Sequence, residues 1–480
     1  MPRRTKIVAT LGPATDPPEV MDAMIAAGVD VVRLNLSHDT HDRHRARAQL
    51  VRERARAAGL ELALLLDLQG PKIRIGKFAA GKVELVPGDA FAIDTHCGIA
   101  DGDQTQVGTT YTALADDVCP GDTLLLDDGA IELEVTAVAN GRIDCRVMIG
   151  GVLSNNKGIN KKGGGLSAPA LTDKDKDDIR FAAEIEADYL AVSFVRTPED
   201  VHLARQLFRE AGGNGGIVAK IERAEALDVI DDIIHAADAI MVARGDLGVE
   251  IGDAKLPAVQ KHLISRARAL NSVVITATQM MQSMIDNAFP TRAEVFDVAN
   301  AVLDGTDAVM LSAESSIGKN PVRVVEALDR VCRESEKQVT RSGHRLDSVF
   351  GRVDEAIAMA AMYTANHLGV KAIAALTETG STVKWMSRIS SGIPIYAMTR
   401  FAPTRRKVRL YRGVYPVGFD VASTDMHEVN GEVIEELLRS GTTQDGDLVI
   451  ITKGDRSGVE GQTNIMKIMR VGEHRLLNED

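Results

Sequence analysis

Eight short apolar runs, each closing on charged or hydroxyl residues, recur through the first two thirds of the chain. They are KIVATLG from Lys6, VVRLNLS from Val31, ALLLDLQG from Ala63, YLAVSFVR from Tyr189, GIVAKIE from Gly216, AIMVARGD from Ala239, VVITATQM from Val273 and AVMLSAE from Ala308. Most read as parallel strands buried on both faces, and the stretches between them carry helical apolar spacing. The pattern predicts an α/β fold, a (β/α)8 barrel with an insertion after its third strand. Polar residues gather at the C-terminal ends of the runs, the rim where such barrels do chemistry, so an enzyme is expected.

With 480 residues the chain exceeds the roughly 250 of one barrel and has room for two smaller units. Between Gln69 and Gly165 the runs KVELV, AFAID, DTLLL, IELEV and RIDCRV alternate and are separated by PGD, DG and NG turns, which predicts an inserted β domain. Its return, SNNKGINKKGGGLSAP, suits a mobile hinge, and Thr172 with Asp175 opens a helix after it. A lid over the barrel mouth is the natural interpretation. The barrel closes with a helix near Arg323 to Gln338. Beyond RSGHRLDS an α/β unit follows, with a helix near Glu355 to Asn366 and strands KAIAAL, PIYAMT, VYPVGF, LVIIT and NIMKIMRV. The expected division is a barrel at 1–70 and 168–343, a lid at 71–167 and a C-terminal domain at 344–480.

Composition excludes several classes. No apolar run approaches the roughly 18 residues of a membrane span, so a soluble protein is expected. The basic opening MPRRTKIVAT runs straight into a strand pattern without a secretory apolar core, which points to the cytoplasm. Four cysteines lie far apart, arguing against disulfides and a zinc site. A formal charge of -12 argues against nucleic acid as a partner. The basic stretch from Arg43 to Arg56 has the spacing of a solvated helix face, so cations for any phosphorylated ligand must be concentrated elsewhere.

Residues two apart on a strand share a face, which groups Arg33 with Asn35 and Ser37, Lys220 with Glu222, and Arg244 with Asp246. Ion pairs plugging the barrel end would explain any one set. Three at equivalent strand ends point to a ligand or metal, because buried charge is costly otherwise. Glu222 and Asp246 are hard oxygen ligands suited to Mg²⁺ or Mn²⁺. Lys220 can stabilise a transferring phosphoryl group or form a Schiff base, and the metal pair and arginines favour the first. Arg33 and Arg244 suit phosphate or carboxylate. Thr278, ending the seventh run, is a candidate for proton delivery or an ordinary strand residue. PTRAE from Pro290 reads as a structural helix start, and His38, His41 and His44 as a helix start and its exposed face.

On these residues the chain closely resembles the pyruvate kinases, their bacterial type II form most of all. The likeness runs through RRTKIVATLGPAT, VVRLNLSH, DLQGPKIR, SNNKGIN, VAKIERAEA, MVARGDLGVEIG, ITATQMMQSM, PTRAEVFDVANAVLDGTDAVMLSAE and SRISSGIPIYAM. It implies transfer of the phosphoryl group of phosphoenolpyruvate to ADP, giving ATP and pyruvate, with Mg²⁺, in a homotetramer. By motif match, Glu222 and Asp246 hold the metal, Lys220 and Arg33 the phosphoryl group, and the Gly245 and Asp246 N–H groups with Thr278 the substrate carboxylate. Asn35, His38, Arg74 and Lys157 match nucleotide contacts.

Asn35, Ser37, Asp67 and the Leu68 carbonyl match the positions that hold K⁺ in potassium-dependent members, which carry glutamate where this chain has Lys72. The resemblance therefore implies activity without K⁺, an ammonium supplying the charge. The loop Thr377, Glu378, Thr379, Gly380, Ser381 and Thr382 matches the family's sugar-phosphate effector loop. Glu378 stands where fructose-1,6-bisphosphate-responsive members often carry lysine, so a sugar monophosphate or AMP is the expected effector. A metal-dependent barrel lyase or aldolase and a catalytically silent metabolite sensor are the rival readings.

Overall fold

The computed structural model describes residues 2–338, 350–421, 426–455 and 461–476. The expected boundary at 343/344 and the RSGHRLDS segment lie outside the described residues.

All eight apolar runs form strands: Lys6–Thr10, Val31–Asn35, Ala63–Asp67, Tyr189–Val192, Gly216–Ile221, Ala239–Ala243, Val273–Ala277 and Ala308–Leu311. They pair in parallel and in order, the first also with the eighth, closing a barrel. Closure forces burial on both faces. Outward positions such as Ile7, Leu64 and Val242 pack beneath the helices, while inward positions such as Val8, Leu65, Met241 and Met310 fill the interior. The helices start where their sequences predict, Thr172 and Thr291 each closing a capping box over Asp173–Glu184 and Arg292–Asp304.

The segment after the third strand forms a two-stranded and a six-stranded sheet around its own apolar cluster. Part of the SNNKGIN stretch expected as hinge is itself strand: Ile159–Lys161 pairs with Thr123–Leu126, so ladder bonds hold it to the inserted domain. The glycines that follow, Gly163 to Gly165, all have positive φ. Farther on, a five-stranded sheet carries Ala372–Leu376 at its centre, with Thr463–Arg470 its antiparallel edge. It plugs the base of the barrel: the Lys6 ammonium donates to the Val414 carbonyl at 2.6 Å, and Arg406 pairs with Asp188 at 2.8 Å.

The shared-face grouping needs correction at its ends. Ser37 lies past the second strand and Glu222 one residue past the fifth. Arg244 and Asp246 are on a helix, Arg244–Ile251. The last ladder pair there is Ala243 with Ala277. Beyond it the backbone has no strand partner and satisfies itself helically, which turns residues two apart to different sides. Two other expectations fail for burial reasons. Arg47, within the basic helix His41–Ala57, is buried and held by Asp16 and Asp39 at 2.6 Å each. His44 is buried too, its Nε2 2.8 Å from the His38 carbonyl.

Candidate active site

Inward positions of the first five strands turn from apolar in the barrel's middle to polar toward the rim. Toward the rim, inward positions of strands one to five carry Thr10, Arg33, Asp67, Ser193 and Lys220, counting one residue past the fourth strand. Asp67, fully buried, joins them: its Oδ2 accepts Arg33 Nε at 2.6 Å and its Oδ1 lies 3.2 Å from Lys220 Nζ. Arg33 also donates to Thr10 Oγ1 at 3.0 Å. Lys220 Nζ donates to Ser193 Oγ at 2.7 Å and pairs with Glu222 at 3.0 Å.

Charge balance sets the protonation states. Burial alone would lower the Lys220 ammonium, but Asp67 and Glu222 outweigh it and hold its pKa up at about 12. Burial likewise opposes ionisation of Asp67, yet Lys220 and Arg33 hold its carboxyl below the usual range. Glu222 goes the other way. Burial pushes its carboxyl up, Lys220 pulls it back, and the charges of Asp246 and Asp67 add to the rise. Its Oε2 accepts the Phe194 N–H at 2.7 Å.

A buried carboxyl raised in part by the charge of a neighbouring carboxylate is the charge pattern a dication relieves. Among the described residues no group of three or more His, Cys, Asp or Glu is arranged to hold a metal. A pair of hard carboxylates with the remaining positions left to water and substrate fits Mg²⁺, which keeps most of its oxygen shell, and does not fit zinc.

Lys72 Nζ lies 3.7 Å from Asp246 Oδ1, at the junction of the inserted domain and the rim. Thr278 has φ +66°, which a β-branched residue adopts only when its surroundings hold it there. Its hydroxyl donates to the Ala277 carbonyl at 2.7 Å and accepts the Gly245 N–H at 3.0 Å, bringing Thr278 to the start of the Asp246 helix. Arg244 points away: its guanidinium reaches the Thr278 carbonyl and pairs with Asp297 at 2.7 Å, so it braces the loop from outside.

The remaining candidates fall into three places. Asn35 Oδ1 accepts the Ser37 N–H at 3.2 Å, and Ser37 and His38 are exposed at the mouth. The Leu68 carbonyl accepts the Ser193 hydroxyl at 2.8 Å. Arg74 and Lys157 lie on adjacent backbone segments of the inserted domain, the Arg74 guanidinium on the Asn156 carbonyl at 2.8 Å and Lys157 on Asp127 at 2.7 Å. The third place is the far sheet. There Thr377 Oγ1 accepts the Gly380 N–H at 3.0 Å, Glu378 O accepts Thr404 Oγ1 at 2.6 Å, and Thr379 completes the turn. Ser381 Oγ is 3.4 Å from Asp354, and the Thr382 hydroxyl faces that of Thr463 at 2.7 Å.

Sequence reading missed Ser193, and Asp67 as the link between Arg33 and Lys220. Strand parity carries both, since Asp67 is two beyond Leu65 and Ser193 two beyond Ala191, inward positions each.

A barrel rim that fixes an ammonium, a guanidinium and paired carboxylates around one mouth has the charges that phosphoryl transfer calls for. The family model described as "Pyruvate kinase, barrel domain" matches residues 2–325, and "Pyruvate kinase, alpha/beta domain" matches 355–469. The protein named pyruvate kinase II from Salmonella typhimurium is 56% identical over 475 residues, 98% of this chain and 99% of that one. Pyruvate kinases from Haemophilus influenzae and Mycobacterium tuberculosis are 52% and 41% identical, each alignment covering 98% of this chain and 99% of the relative. The chain belongs to the pyruvate kinase family.

Proposed function

We propose that the protein transfers the phosphoryl group of phosphoenolpyruvate to ADP at the barrel rim. The observation that carries this reading is the buried network of Arg33, Asp67, Lys220 and Glu222, with Asp246 close enough to act on Glu222. Arg33 binds the phosphoryl group. Lys220, charged at every physiological pH, offsets the charge that spreads over its oxygens in flight. Glu222 and Asp246 would hold the divalent cation, Mg²⁺ or Mn²⁺, which would supply Lewis-acid stabilisation of the charge on the transferring group. The Gly245 and Asp246 N–H groups and Thr278 receive the substrate carboxylate, for which the Gly245 N–H and the Thr278 hydroxyl leave their mutual bond. Thr278 relays a proton to the enolate once the phosphoryl group has gone.

Asn35, His38, Arg74 and Lys157 take the nucleotide. The last two come from the inserted domain, 71–167, which acts as a lid: its closure brings them to the ADP phosphates, for which their side chains exchange the Asn156 carbonyl and Asp127. Lys72, already 3.7 Å from Asp246, supplies the charge that K⁺ supplies elsewhere beside Asn35, Ser37, Asp67 and Leu68, so no K⁺ is needed. At the 377–382 loop the carboxylates of Glu378 and Asp354 disfavour a second phosphate and support a sugar monophosphate or AMP effector. Exposed apolar side chains on the barrel, Phe289 and Phe296, and at Val353, which opens the helix Val353–Leu368, support a homotetramer. No helix among the described residues is long and apolar enough to cross a membrane, and a cytoplasmic glycolytic enzyme is the reading adopted.

The test is pyruvate formation against phosphoenolpyruvate concentration in buffer free of K⁺ and Na⁺, with and without ADP and Mg²⁺, repeated with a panel of sugar phosphates. Activity requiring ADP and Mg²⁺ but not KCl is expected. Pyruvate released without ADP would indicate a lyase, and rescue by KCl would overturn the role of Lys72.

A further inference from the structure

The chain passes between barrel and inserted domain at two crossings. On the way out Leu68 packs in the barrel's apolar cluster and Ile73 in that of the inserted domain; on the way back Ala168 packs in the inserted domain and Leu171 in the barrel. Gly70 lies in the first crossing, and Thr172 directly follows the second.

One carboxylate holds both places. Asp175, fully buried in the first turn of the helix Asp173–Glu184, accepts the Gly70 N–H on Oδ1 at 3.0 Å. Its Oδ2 accepts the Thr172 N–H at 2.8 Å and the Thr172 hydroxyl at 2.6 Å. The Thr172 bonds belong to the helix cap, but Gly70 is 105 residues away in sequence and no cap requires it. A carboxylate leaves water only where donors replace it, and three converge here from two chain segments. The helix start is itself fastened to the barrel rim, since the Lys174 ammonium donates to the Leu36 carbonyl at 2.7 Å and pairs with Asp178 at 2.6 Å. Two residues beyond Gly70 stands Lys72, whose N–H returns to the Gly70 carbonyl at 2.9 Å and whose ammonium lies 3.7 Å from Asp246.

We propose that Asp175 is a positioning residue for the reaction, its carboxylate the pin about which the inserted domain turns. By holding Gly70 and Thr172 to one fixed point it confines lid motion to the chain beyond them, so Lys72 stays at Asp246 while Arg74 and Lys157 approach ADP along one path. The inference rests on the lid reading given above, and it gives Asp175 no contact with substrate. Without the Gly70 bond the outgoing crossing moves independently of the return. Closing the lid in register then costs more conformational entropy, which weakens the binding of whatever the lid must meet.

Amide hydrogen exchange of the full chain, resolved to Gly70 by fragmentation mass spectrometry, tests the pin without an assay of activity. In wild type the Gly70 N–H should be protected by about tenfold or more relative to an unstructured peptide, the scale of one hydrogen bond to a charged group. Asp175→Asn keeps the size of the side chain but leaves one acceptor oxygen for donors on two sides. That oxygen meets the paired Thr172 donors, so exchange at Gly70 should quicken about tenfold, and the KM for ADP should rise by a similar factor while that for phosphoenolpyruvate changes by less than about twofold. Thr172→Val removes the capping hydroxyl and keeps the Gly70 bond, so both Gly70 exchange and the KM for ADP should stay at wild-type values. An unprotected Gly70 in wild type overturns the proposal and carries the test if Asp175→Asn fails to fold. Unchanged Gly70 exchange in Asp175→Asn, or an equal rise in the KM for ADP in both variants, also overturns it, the latter by tracing the effect to the helix cap. Because exchange is read without substrate, a failure of the pin is distinguishable from a failure of the phosphotransfer reading, which shows in wild-type turnover.

Discussion

The Ser193 hydroxyl oxygen accepts the Lys220 ammonium at 2.7 Å and donates its own hydrogen bond to the Leu68 carbonyl at 2.8 Å. With both bonds made, the hydroxyl has one defined orientation, and it fixes where the ammonium sits between Asp67 and Glu222. Ser193→Ala leaves the charges and removes that fix. Steady-state kinetics should show kcat reduced by about tenfold, the scale of one hydrogen bond to a charged group, with the KM for ADP little changed. A wild-type kcat would mean that the two carboxylates position Lys220 without help.

Gly70 guards the same residue from the other side. It has φ +66°, and a Cβ there would lie 2.7 Å from Ser193 Cβ and 2.9 Å from the Phe194 ring. Gly70→Ala is therefore strained in backbone and in packing together. A denaturant melt should show a loss of about 2–4 kcal/mol, and kcat should fall along with it because Ser193 is displaced.

Glu250 supplies a stability prediction with a definite sign. It is buried at the junction of the rim and the inserted domain, where burial raises its carboxyl to about 7, the Ala224 N–H and Arg223 offsetting only part of this. A carboxyl raised above its unfolded value favours the folded state while protonated. That contribution is complete below the unfolded value near 4.5 and is lost as pH rises through about 7. Glu250→Gln keeps an acceptor for Ala224 and removes the titration. Its stability relative to wild type should rise between those limits, by about 3 kcal/mol at the upper end, read from urea melts at a series of pH values.

Lys72→Glu tests the monovalent-cation assignment directly. Exchanging the ammonium beside Asp246 for a carboxylate should lower kcat by about a hundredfold in K⁺-free buffer, the scale of one electrostatic contact at a reacting centre. Added KCl should restore much of it while leaving wild type unaffected. A variant indifferent to KCl would place the function of Lys72 elsewhere.

Strand existence was legible because closing a parallel barrel buries both faces of every strand, which demands the continuous apolar runs seen from Lys6 to Leu311. Where those runs end was less legible. Arg244 and Asp246 look like strand residues because their local sequence continues the run, yet the ladder stops at Ala243. Whether a backbone N–H finds a partner across the sheet depends on the length of the neighbouring strand, which local pattern does not carry. For the same reason the periodicity of the basic helix His41–Ala57 does not reveal that Arg47 is buried: Asp16, distant in sequence, covers it.

From the amino-acid order alone came the barrel, its insertion, the far α/β unit and the residue types at the rim, since burial and hydrogen bonding along one segment leave a periodic record in that segment. Tertiary structure decided which charges neutralise which. Asp67 holds Arg33 and Lys220 together, Arg244 turns to Asp297, and Arg412 is left with a bare donor at the barrel base. Such pairings depend on distances of a few ångströms between segments far apart in sequence, and electrostatic energy in a buried site changes steeply over that range.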